Sequence, residues 1–174
     1  MSRPSPLSAM FATLRARIGP PRFEFVFDPE CSSCVWNRFG RLPWFRVGIV
    51  NSGERTIEDA GVFLIEFGGF PMQLPSLLRW MDDQAEPGTT RPLHPTTHGT
   101  HRHVDLVNET GQTGWMHVSL ARGHYPIFWW WRKCEYRIVL SVEGANAAPV
   151  GRVLTLSFDD AGCPLLRDDG PFKP

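Results

Sequence analysis

The sequence predicts a mainly β protein, an antiparallel β-sandwich of about seven strands preceded by a short amphipathic helix. Three observations carry this. Residues 45–67, FRVGIVNSGERTIEDAGVFLIEF, place two apolar β-rich runs on either side of the turn-forming Asn51-Ser52-Gly53, which reads as two strands of one antiparallel sheet joined by a polar connection. Residues 136–142 alternate cleanly, with Tyr136, Ile138, Leu140 and Val142 on one side and Arg137 and Ser141 on the other, the period of two that a half-buried strand requires. Sixteen Pro and sixteen Gly among 174 residues suit many short strands with frequent turns, and no strand–helix alternation points to a parallel sheet.

Composition bounds the function classes. With 42% hydrophobic residues, twelve Phe and seven Trp, the chain can bury a core without disulfides or metal and is not a low-complexity segment. Lys plus Arg balances Asp plus Glu at 18 each, so no global field draws the chain to nucleic acid or anionic lipid. No run approaches the roughly 20 apolar residues of a transmembrane helix, so membrane insertion is not expected. Arg15 and Arg17 interrupt the N-terminal apolar stretch before a signal-peptide core can form, and four Cys without such a signal are expected to be reduced thiols in a cytoplasmic protein.

Taken in order, Leu7, Met10, Phe11, Leu14 and Ile18 follow the three-and-four spacing of one helical side, with Ser5 or Ser8 as cap. Gly19-Pro20-Pro21 stops that helix, and Phe23, Phe25 and Phe27 alternate as a first strand. Residues 61–67 are apolar on both sides, Val62 and Leu64 against Phe63, Ile65 and Phe67, which predicts a strand covered twice, with the N-terminal helix as one candidate cover. Residues 68–100 read as a long irregular region with five Pro, either a functional loop or host to a short strand.

A strand is predicted at 103–107, pairing with 115–120 across the turn at 108–114. Gly144-Ala145-Asn146 turns residues 136–142 back into 150–158, where Leu154, Leu156 and Phe158 share a side. The polar, proline-bearing residues after Asp159 read as a tail. The expected organisation is a helical extension at 1–22, a sandwich at 23–160 and a C-terminal tail at 161–174.

The RVGIVNSG strand and turn, the TIEDAGVFL strand, the HVDLV strand and the closing YRIVLSVEGANAAP hairpin together resemble the immunoglobulin-like domains of many uncharacterised bacterial proteins. The resemblance spans residues 23–158 at the level of strand pattern, without the inter-sheet Cys pair flanking a core Trp seen in antibody domains. It implies a fold and an accessory or interaction role, and carries no catalytic residues with it.

Candidate sites follow from residue chemistry. Cys31-Ser32-Ser33-Cys34 has the spacing of half a tetrathiolate zinc site, which Cys134 and Cys163 would complete only if three distant segments converge. Among His94, His98, His101 and His103, the pair His101 and His103 shares one side of a strand with Asp105 and could meet a metal there; a solvated polar surface has the same pattern. Consecutive Trp129, Trp130 and Trp131 on a strand must point to opposite sides, so at least one leaves the core beside Arg132 and Lys133, either to solvent or into a second layer covered by the helix or the 68–100 loop. An exposed Trp there would contact a partner protein or stack on a sugar ring. Phe11 and Leu14 on the helix offer a second docking surface.

No Gly-x-Ser-x-Gly elbow or comparable nucleophile setting occurs, and no cofactor is expected. The expectation is a non-enzymatic protein–protein interaction or assembly module using Trp129, Trp130, Trp131, Arg132, Lys133, Phe11 and Leu14. The alternatives are a carbohydrate-binding sandwich that uses the same Trp residues and a metal-binding protein that uses His101, His103, Cys31 and Cys34.

Overall fold

The computed structural model describes residues 19–28, 35–36, 44–81, 90–95, 102–109, 116–120, 124–127, 135–160 and 163–173. Every regular element among them is a strand: β1 (Phe23–Val26), β2 (Val35–Trp36), β3 (Trp44–Asn51), β4 (Ile57–Phe67), β5 (Phe70–Leu77), β6 (Arg79–Trp80), β7 (Arg91–Leu93), β8 (Arg102–Glu109), β9 (Met116–Ser119), β10 (His124–Ile127), β11 (Tyr136–Gly144), β12 (Ala147–Phe158) and β13 (Pro164–Phe172). They form two antiparallel sheets. The first runs β1-β3-β8-β9-β10, with β2 also on β3 and β6 also on β8; the second runs β13-β12-β11-β4-β5, with β7 also on β4. The predicted N-terminal helix, with Phe11 and Leu14, lies outside the described residues.

The predicted alternations bury the residues they should. Phe45, Val47 and Ile49 of β3, Val104 of β8, Val62 and Leu64 of β4, Ile138, Leu140 and Val142 of β11, and Leu154 and Leu156 of β12 belong to one buried cluster to which both sheets contribute. Truncating any one of these leucines or isoleucines to Ala leaves a cavity costing about 2–5 kcal/mol. β8 and β9 pair as the sequence predicts, Val107 opposite Val118. The β11–β12 hairpin also forms as predicted, turning at Ala145–Asn146.

The pairing expected within 45–67 does not form. β3 pairs with β1, β2 and β8 in the first sheet, whereas β4 pairs with β11, β5 and β7 in the second. Residues 52–56 therefore carry the chain from one sheet to the other. Two contacts suit them to this crossover. The amide N–H of Ser52 donates to the Arg22 carbonyl at 2.9 Å, and Gly53 lies so close to the entering chain that a Cβ there would sit 2.3 Å from the Pro20 carbonyl oxygen. The hairpin that β4 does make is at its other end, where Phe67 faces Phe70 across Gly68 and Gly69. Both glycines have positive φ, +64° and +85°, the pair of left-handed residues a two-residue type I′ turn demands.

Residues 68–100, expected to be either a functional loop or host to a short strand, contain three strands, β5, β6 and β7. The predicted tail likewise holds a strand: β13 pairs with β12 from Phe158–Pro164 to Gly151–Phe172 and forms an edge of the second sheet. Its sequence, PLLRDDGPF, lacks apolar alternation because its charges are used locally. Arg152 Nε donates to Asp168 Oδ2 at 3.0 Å, Thr155 Oγ1 donates to Asp169 Oδ2, and Arg167 Nε donates to Asp169 Oδ1 at 2.6 Å.

Burial on two sides falls most heavily on β11. Ser141, predicted to face outward, is 0% exposed and its neighbour Val139 2%, although neither belongs to the shared core cluster. On that side Ser141 lies between Phe63 of β4 and Gly151 of β12. The Phe172 ring leans over Gly151, the Phe63 ring leans over Gly61, and the serine hydroxyl donates to Glu143 Oε1 at 3.1 Å. On β4 itself Val62 and Leu64 are fully buried, while Phe63 and Ile65 are half-buried.

Candidate functional site

Of the residues the sequence singles out, Trp129, Trp130, Trp131, Arg132, Lys133, His101, Cys31, Cys34 and Cys134 lie outside the described residues. His103 and Asp105 do share one side of β8, opposite Gly48 and Arg46 of β3. That carboxylate is already matched: Arg46 Nε donates to Asp105 Oδ1 at 3.0 Å, with the two side chains only 14% and 15% exposed. A carboxylate neutralised by a guanidinium is a poor cation ligand. His94 is elsewhere, exposed, with its Nδ1 3.1 Å from Thr56 Oγ1. Cys163 is a free, exposed thiol in a turn where its amide donates to Asp159 Oδ1 at 2.7 Å. Among the described residues no group of three or more His, Cys, Asp or Glu could hold a metal ion.

The two ends of the sheets differ in chemistry. One end gathers the 52–56 crossover, the β11–β12 turn and β7. Asn51, wholly buried, organises it: Nδ2 donates to the carbonyls of Arg55 at 2.7 Å and Leu93 at 2.9 Å, and Oδ1 accepts from the amides of Gly53 at 3.0 Å and Arg22 at 3.4 Å. Asn146 repeats the device at the hairpin turn, accepting from Glu58 N at 2.9 Å and donating to Thr56 O at 3.0 Å. Every amide group of both side chains has a backbone partner, so this end is a polar clasp.

The other end is aromatic and apolar. Tyr136 at the start of β11 stacks on Phe67 with ring centroids 5.5 Å apart and meets the Phe158 ring edge-on at 6.4 Å. The Gly68 amide donates to the Arg137 carbonyl at 2.7 Å and seats the β4–β5 turn against β11. Beyond this buried stack stand two large apolar side chains in solvent, Phe70 at 73% exposed on β5 and Leu165 at 53% on β13. They occupy opposite edges of the second sheet, four strand spacings or roughly 19 Å apart. The ion pairs Arg137–Glu66 and Arg167–Asp169 flank them. The Asp169 carboxyl is held below its ordinary value by the hydrogen bond from Arg167 and by that from Thr155.

Phe70 and Leu165 are not among the residues the sequence singles out. The signal for Phe70 is present in Gly68-Gly69 between two Phe, a hairpin turn whose strands place the second Phe at the tip. Leu165 carries no such signal, since the adjacent Leu165 and Leu166 do not reveal which of them faces the core.

No family model, no curated protein sequence and no solved structure matches this chain. No helix among the described residues is long and apolar enough to cross a membrane.

Proposed function

We propose that this chain is an immunoglobulin-like β-sandwich that works without catalysis, as a protein–protein interaction or assembly module whose contact surface is the apolar end of the six-stranded sheet. The observation that carries the reading is Phe70, 73% exposed beside a two-glycine type I′ turn. A large apolar side chain standing in solvent beside a packed aromatic stack buries much apolar area on binding, which is what anchor residues at protein interfaces supply. Leu165, on the opposite edge, points to the other side of the sheet, because its neighbour Leu166 is the one that faces the core beside Leu156, and it lies outside this surface.

Two further points support the assignment. By composition the aromatic-basic stretch Trp129, Trp130, Trp131, Arg132 and Lys133 suits a contact surface as well. At the other end, by contrast, the side-chain amides of Asn51 and Asn146 bond to the protein's own backbone.

A photo-cross-linking amino acid placed at position 70 of the full chain, in its native host, tests the reading. The expected result is one dominant protein adduct from position 70, with none from the same probe at Asn146. Equal labelling from both ends, or no adduct from position 70, removes it.

A further inference from the structure

We draw no further inference here: the strongest candidate, the outer side of the six-stranded sheet where Phe63 and Phe172 flank the buried Ser141, is an apolar surface unpartnered among the described residues, and nothing in the structure shows what covers it.

Discussion

At one end of the sheets Asn51 and Asn146 fasten three connections with side-chain amide bonds to backbone, while at the other Phe70 and Leu165 stand in solvent beyond the Phe67–Tyr136 stack. The first end holds the fold together, with the oxygen and the nitrogen of both amides already bonded to backbone. The second is held by ring packing beneath the surface, so its outermost residues are free of structural duty. The difference separates residues whose loss unfolds the chain from residues whose loss leaves it folded and changes only what it meets.

The largest expected effect is at the clasp. Asn51→Ala deletes a fully buried amide and strands the carbonyls of Arg55 and Leu93 and the amides of Gly53 and Arg22. With unsatisfied buried groups costing about 1–3 kcal/mol each and some relaxing toward water, a net loss of about 3 kcal/mol is expected. Urea unfolding followed by tryptophan fluorescence measures it, and a loss under about 1 kcal/mol would show that the clasp does not hold the crossover.

Glycines at the two ends sharpen the contrast, because each is needed for a different reason. Gly53 lacks room: a Cβ would meet backbone atoms of Pro20, Pro21 and Arg22 within 3 Å, and Gly53→Ala is expected to cost about 2–3 kcal/mol by forcing those segments apart. Gly69 has room, with nothing within 4 Å of an added methyl, but a φ of +85°. Its replacement by Ala should cost about 1 kcal/mol, and by Asn less, since Asn tolerates the left-handed region. Equal costs at the two positions would contradict this division between space and conformation.

The same division explains how much could be read in the sequence. The alternations of β3, β8, β11 and β12 were legible because each has one core side, and burial of that side is what the period of two encodes. Sheet membership was not, because 52–56 look like a hairpin connection and only the packing of Gly53 on the entering chain makes them a crossover. β13 escapes because its charges meet Arg152 and Thr155 of the neighbouring strand, a cross-strand match that has no local period. As for the candidate site, the Trp-rich stretch advertises itself by composition, whereas Phe70 is identified only by its exposure.

Phe70→Ser should therefore leave stability within about 0.5 kcal/mol of the parent, as exposed positions do. Combined with the cross-linking result, that separates an interaction residue from a core residue: a Phe70→Ser chain that unfolds at the same urea concentration but no longer co-purifies with the protein captured by the probe at position 70 supports the apolar end as a contact surface. A drop comparable to that of Asn51→Ala would place Phe70 in the structural set instead.

The smallest effect is on the edge strand that joins the two ends. Arg167 and Thr155 hold the Asp169 carboxyl below its ordinary value, so the folded chain binds that proton less readily than the unfolded chain, whose Asp titrates near pH 3.9. The resulting stabilisation is fully present above about pH 4 and disappears as pH falls through the lower folded value. Because the Arg167 side chain is largely exposed, solvent screening keeps the contribution small. Asp169→Asn removes it: the gap in urea midpoint between this variant and the parent should be constant near neutrality and narrow as the pH drops below about 4. A gap that instead widens on acidification would mean that the carboxylate opposes the folded edge, and that β13 is held by Arg152–Asp168 and its backbone pairing alone.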